Sequence, residues 1–263
     1  MTNHRRITVE LDEDAGILSI GLSGGKGNIV DMAMMDEIRA ALDAHMGKQT
    51  LRMVLLEGGD AHFSFGAAIE EHTQDRIGTM LPAFHALIRQ VALYPVPVAA
   101  LVRGRCLGGA FELVLACHFV FATQSARFAC PEIKLGVFPP VLAALGPARL
   151  PQIVVERLLL TGAEMDVTEA VRLGFVTSIV GESDGNGRSD VLAWYRSTLA
   201  SLSASSLRHA VRVSRQAGGI ADRIGAPLDI AERMYIDELC ATHDGHEGIA
   251  AFMQQRKPVW RHA

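Results

Sequence analysis

Gly108-Gly109-Ala110-Phe111-Glu112-Leu113-Val114-Leu115-Ala116-Cys117 is an apolar run broken by one carboxylate. Two glycines ahead of such a run mark a tight strand-to-helix turn. They also set bare backbone N–H groups at a helix start, where negative charge is favoured. Glu112 follows Gly109 by three residues, so on a helix its side chain lies near the face of the Gly109 amide. An ionised carboxylate here is costly unless it is paired, hydrogen-bonded or protonated. A structural ion pair with Arg103 or Arg105 is the plain alternative. Phe128-Ala129-Cys130-Pro131-Glu132-Ile133 places a second glutamate after a short apolar strand and a proline, where alone it reads as a solvated turn carboxylate. Two carboxylates that converge in apolar surroundings point to a site for moving a proton.

Working outward, a buried strand at 98–102 follows Pro95 and Pro97, which stop a helix expected at about 77–93. Before it come a short buried strand at 53–56, closed by Gly58-Gly59-Asp60, and a helix at about 32–46 capped by Asp31. Alternation at Ile7, Val9 and Leu11, and less cleanly from Ile17 to Leu22, reads as a hairpin turning at 12–16. Strands at 119–122 and 127–129 follow the glutamate helix. Strand, short strand and helix thus recur every ~40 residues without repeated sequence, which suggests an α/β (α+β) spiral of β-β-α turns. Beyond Val180, a linker at 181–187 leads to helices at about 190–203, 205–216, 227–241 and 245–255. The chain therefore divides into a spiral core, 1–188, and a helical region, 189–263, too thin to form a core alone. That region packs on its own core or on a neighbouring subunit.

At 263 residues, with 49% of them hydrophobic, the chain has ample material for a large core. A net charge of −4 and a pI near 6.2 leave no electrostatic footprint for nucleic acid. The ten histidines are scattered without metal-ligand spacing, so no metal is expected. Cys106, Cys117, Cys130 and Cys240 lack Cys-x-x-Cys spacing and read as reduced, buried thiols of a cytoplasmic protein. The start, residues 1–6, lacks the apolar region of a signal peptide. The longest apolar stretch, 91–102, contains two prolines and is too short to span a bilayer, so no membrane partner is expected.

Phe63-Ser64-Phe65-Gly66-Ala67-Ala68-Ile69-Glu70 offers small residues in a loop after a buried strand. Backbone of this kind approaches a ligand closely. Two such loops, each giving one N–H, would form an oxyanion hole worth roughly a hundred- to a thousand-fold in rate per donor. The plain alternative is a compact loop packed by Phe63 and Phe65. His62, His72, His85 and His118 read as surface or satisfied core residues. Ile77, Met80, Leu81 and Phe84 form a core stripe or the wall of an acyl pocket, and the Arg and His residues of 208–215 a solvated helix face. A dinucleotide-binding reading fails, because no Gly-x-Gly-x-x-Gly follows the first strand.

Phe63 to Glu71, Gly108 to Leu113 and Pro131-Glu132-Ile133-Lys134-Leu135-Gly136 resemble, in order and spacing, the three signature segments of the crotonase (enoyl-CoA hydratase/isomerase) superfamily. The ending Glu247-Gly248-Ile249-Ala250-Ala251-Phe252 with Arg256-Lys257-Pro258 is similar to that family's C-terminus. The resemblance implies a crotonase-like spiral with a C-terminal helical trimerisation region, acting on an acyl-CoA thioester as homotrimer or homohexamer. It implies no cofactor, coenzyme A being part of the substrate. The amides of Ala67 and Gly109 would hold the thioester oxygen, with Gly66, Ala68, Ile69, Gly108 and Pro140 at substrate-binding positions. Glu112 and Glu132 would place a water beside the β-carbon of an unsaturated acyl group; which is base and which acid is open. Phe252 and Lys257 match positions that approach the CoA of a neighbouring subunit, and Lys26 one that meets its phosphates.

Two departures stand out. The family's Gly-Ala-Asp is here Gly66-Ala67-Ala68, and its Ile-Pro-Gly-Ala-Gly-Gly is Phe138-Pro139-Pro140-Val141-Leu142-Ala143. Pro140 has no N–H to offer a catalytic water, and the bulkier segment implies a reshaped acyl pocket. These departures, with 24–31, 65–72 and 80–85, resemble the cyclohexa-1,5-diene-1-carbonyl-CoA hydratases of anaerobic benzoyl-CoA degradation. That similarity implies a hydro-lyase forming 6-hydroxycyclohex-1-ene-1-carbonyl-CoA by 1,4-addition of water. A straight-chain hydratase or an isomerase is the near rival, and a non-catalytic CoA-binding protein of the same fold the distant one. Isomerases usually rely on one carboxylate, so two favour hydration.

Overall fold

Strands β1 (Ile7–Asp12) and β2 (Ile17–Leu22) form the expected hairpin, its register running from Ile7 opposite Leu22 to Asp12 opposite Ile17. The computed structural model describes residues 6–59, 61–181 and 185–263. The chain start, Asp60 of the Gly58-Gly59-Asp60 turn, and residues 182–184 of the expected linker lie outside these. From β2 the sheet continues in parallel through β3 (Met53–Glu57) and β4 (Val98–Val102). A small second sheet joins β5 (Arg105–Leu107), β7 (Arg127–Ala129) and β8 (Glu164–Asp166). The main sheet ends in β6 (Phe119–Thr123) and β9 (Ser178–Val180), with order β1-β2-β3-β4-β6-β9.

β3 and β4 are buried at every residue, as suits parallel strands covered on both faces. The pleat sends Val54, Leu56, Val98 and Ala100 into the main core, and Met53, Leu55, Ala99 and Leu101 to the opposite face. Helices α1 (Met32–Met46), α2 (Ile77–Ala92) and α3 (Gly109–Ala116) form the crossovers of the main core. The Asp31 carboxylate caps α1 by accepting from the Met34 N–H at 2.9 Å. Between 140 and 180, for which no element is expected from the sequence, lie α4 (Pro140–Leu145), α5 (Gln152–Thr161) and α6 (Val167–Arg172).

The C-terminal region begins with α7 (Arg188–Thr198), whose Val191 and Tyr195 cover the second face of the main sheet. Next come α8 (Ala204–Ala217), α9 (Ile220–Arg223) and α10 (Ala226–Arg233). The single helix expected at 227–241 instead runs from α10 into a π turn, Met234–Glu238, and a 3₁₀ turn, Leu239–Ala241. The last helix is α11 (Asp244–Met253). The face at 208–215 is not wholly solvated as expected. Arg215 is buried and donates to the Ala116 carbonyl and to His118 Nε2, while Arg208 donates to the carbonyls of Met46 and Lys48. Ala116 and Met46 end α3 and α1, and such terminal carbonyls need outside donors. Among the described residues no helix is long and apolar enough to cross a membrane.

Candidate active site

The turn from β5 into α3 depends on Gly108, whose φ of +52° and ψ of −131° place it where side chains are strained. A Cβ there would also fall 2.5 Å from Glu132 Oε1. The facing loop passes close enough that a Cβ on Gly66 (φ +102°) would meet the Leu107 carbonyl oxygen at 2.7 Å. Hydrogen bonds hold this loop on both sides: Leu107 N–H donates to the Ser64 carbonyl at 3.0 Å, Val30 N–H to that of Gly66 at 2.9 Å. Ala68 N–H donates back to the Val30 carbonyl. Among the described residues the Ala67 and Gly109 N–H groups find no protein acceptor. The two are neighbours, a Cβ on Gly109 falling 3.6 Å from the Ala67 nitrogen.

Glu112 is 3% exposed and pairs with neither Arg103 nor Arg105. Arg103 serves Glu57 and the Gly58 carbonyl; Arg105 pairs with Glu164. Instead Glu112 Oε1 accepts from the N–H groups of Val141 at 2.7 Å and Leu142 at 2.9 Å. These belong to the first turn of α4, where amides have no partner within the helix and Pro140 at the first position loses nothing by lacking one. Burial nevertheless pushes the Glu112 carboxyl up to about 7, the two amides opposing it. Glu132 is likewise raised well above the ordinary carboxylate value, first by burial and then by the charge of Glu112. Its Oε2 is buried without a hydrogen-bond partner. The two carboxyls titrate as one unit.

Both glutamates line one cleft, partly open to solvent. Gly66, Ala67, Ile69, Gly108, Gly109 and Pro140 line it too. Met80, Leu81 and Phe84 of α2, with Phe138 and Pro139, make it predominantly apolar. Ala68 is buried and does not line the cleft, and Lys26, Phe252 and Lys257 are exposed elsewhere on this chain. Two lining residues escaped the sequence reading. His72, its ring Nδ1 2.8 Å from the Ala68 carbonyl, is lowered below the ordinary histidine value by burial. Tyr235 comes from the π turn, and nothing in the sequence reading marks it. Two unengaged amides beside two buried carboxyls can stabilise charge on a carbonyl oxygen while a proton moves nearby.

The enoyl-CoA hydratase/isomerase family model matches residues 12–263. Cyclohexa-1,5-dienecarbonyl-CoA hydratase of Thauera aromatica is 40% identical over 254 residues, 97% of this chain and 96% of that protein. A probable enoyl-CoA hydratase of Mycobacterium tuberculosis is 30% identical over 266 residues, 98% of this chain and 99% of that one. The crystal structure of an enoyl-CoA hydratase from Bacillus halodurans superposes with a TM-score of 0.83 at 21% identity, covering 94% of this chain and 99% of its own.

Proposed function

This chain belongs to the enoyl-CoA hydratase/isomerase family, and from that premise we propose that it hydrates a ring-held conjugated dienoyl thioester. The substrate is cyclohexa-1,5-diene-1-carbonyl-CoA and the product 6-hydroxycyclohex-1-ene-1-carbonyl-CoA, a step in anaerobic aromatic degradation. The observation that carries this reading is the pair of glutamates, Glu112 buried and Glu132 half-buried, lining one apolar cleft together with Phe138-Pro139-Pro140. A rigid double proline beside Phe84 and Phe138 suits a compact ring better than a mobile chain.

In this mechanism the amides of Ala67 and Gly109 hold the thioester oxygen. Glu112, fixed as an acceptor through Oε1, uses its other oxygen to take a proton from water as the water oxygen bonds to the β-carbon. The displaced electron pair moves onto the thioester oxygen, where the two amides stabilise the dienolate. With Glu112 held in that acceptor role, Glu132, which burial also raises above the ordinary carboxylate value, carries the proton that goes to the far end of the diene. Coenzyme A enters and leaves as part of the ester, and no other cofactor is used. Exposed Phe252, Met253, Val259 and Trp260 support assembly through the C-terminal region into trimers or hexamers. That assembly would bring Phe252 and Lys257 to a neighbour's CoA, and Lys26 to its phosphates.

The test is a panel of acyl-CoA esters in oxygen-18 water, read by mass spectrometry. The cyclic dienoyl ester is expected to gain labelled water faster than crotonyl-CoA. A strong preference for crotonyl-CoA removes the alicyclic assignment, and rearrangement without label makes the protein an isomerase. Tight binding without turnover makes it a binding protein.

A further inference from the structure

The chain has three tyrosines, and all three are buried. Tyr94 donates its O–H to the Leu42 carbonyl at 2.9 Å, and Tyr195 donates to the Ala15 carbonyl. Tyr235, 2% exposed, has no hydrogen-bond partner for its buried hydroxyl. It is also the only one of the three to line the cleft. Buried tyrosines normally find a partner, and an unpaired hydroxyl in the interior is costly. Its ring is held edge-on against Phe138, centroids 5.4 Å apart. It sits in the π turn, and such one-turn insertions in helices recur at functional sites. Burial, together with the nearby charges of Cys240, Glu132 and Glu112, keeps the phenol protonated and so a donor.

The second unpaired polar atom of the cleft is Glu132 Oε2. Pro140 offers no N–H, and the next two amides are committed to Glu112. We propose that Tyr235 is a third polar contact for the oxygen added to the substrate. One oxygen atom, the water before addition and the new hydroxyl after it, satisfies both the Tyr235 O–H and Glu132 Oε2. This inference rests on the hydration reading above and deepens it, because it names the group that distinguishes a hydroxylated ester from an unhydroxylated one.

The test compares the parent with Tyr235→Phe, which keeps the ring against Phe138 and removes only the hydroxyl. Binding of 6-hydroxycyclohex-1-ene-1-carbonyl-CoA and of cyclohexanecarbonyl-CoA, which lacks a hydroxyl, is measured by calorimetry. The variant is expected to bind the hydroxylated ester roughly 10- to 100-fold more weakly and the other within about twofold. Its kcat for hydration falls by a similar factor with KM little changed, and its Tm is not lowered, since an unpaired buried group has gone. Equal weakening of both esters with a lowered Tm would mean a structural role and overturn the proposal, as would unchanged binding of the hydroxylated ester. Either result leaves the hydration reading standing. Loss of discrimination on Tyr235→Phe, where the parent itself performs no hydration, supports the Tyr235 contact and sinks that reading instead. A parent that binds neither ester overturns both.

Discussion

Alanine at position 108 isolates the contact between the glycine turn and the second carboxylate. The new methyl would lie 2.5 Å from Glu132 Oε1, whereas ordinary contact begins at 3.4 Å, so the carboxyl must retreat by about 0.9 Å. The side chain can yield, so the fold survives, but the proton donor leaves its position. A misplacement of about 1 Å costs on the order of a hundredfold in rate. Separately, an alanine held at φ +52° and ψ −131° costs on the order of 1–3 kcal/mol, which lowers Tm by roughly 2–12 °C in a domain of this size. Steady-state hydration and thermal unfolding of Gly108→Ala separate the two effects. The same change is then made in Glu132→Ala, where the methyl meets no carboxylate. There the stability loss should persist while the further rate loss shrinks to less than about threefold, the coupling expected of neighbours. A Gly108→Ala enzyme within threefold of the parent, or a rate loss undiminished by prior removal of Glu132, would refute the argument.

Glu112→Gln and Glu132→Gln should each cut turnover by roughly 10²- to 10⁴-fold, and near-normal activity in either variant removes that residue from the proton path. The pH dependence of stability follows from the raised carboxyls. Folded Glu112 and Glu132 keep protons that the unfolded chain loses near 4.5, so their contribution is full below that pH. It declines as pH rises to about 7 for Glu112, and Glu132, raised in the same direction, adds to the decline. Glu132→Gln should therefore show a smaller fall in Tm between mildly acidic and alkaline pH, and parallel Tm curves would contradict this. Pro140→Gly should cost about 0.4–1 kcal/mol through unfolded-chain entropy and shift preference toward straight-chain esters, measured as the ratio of kcat/KM values.

Much of this arrangement is legible in sequence because single residues settle local choices. Asp31 announces its cap, and the continuous apolar runs of β3 and β4 announce strands buried on both faces. Gly108-Gly109 marks the turn that Glu112 follows. What stayed hidden depends on partners distant in the chain. Nothing local says that the amides of Val141 and Leu142 close on a glutamate 29 and 30 positions earlier. Arg215 reads as surface charge until α8 is laid across the end of α3, and the helix expected at 227–241 gives no sign of the π turn that holds Tyr235. Of the small sheet, β7 is legible at 127–129, whereas β5 and β8 are three-residue strands too short for any periodicity to register.

The way Glu112 is held has a consequence for how such a protein changes over generations. Its anchor is main chain at 141–142, while the side chains bordering the cleft come from 137–140, one step earlier along the same segment. Mutational drift at Phe138 or Val137 can therefore remodel what the cleft admits while the glutamate keeps its address. Divergence of substrate range and retention of chemistry are thus assigned to different atoms of one short peptide, and libraries randomised at those two side chains should yield new preferences more often than inactive protein.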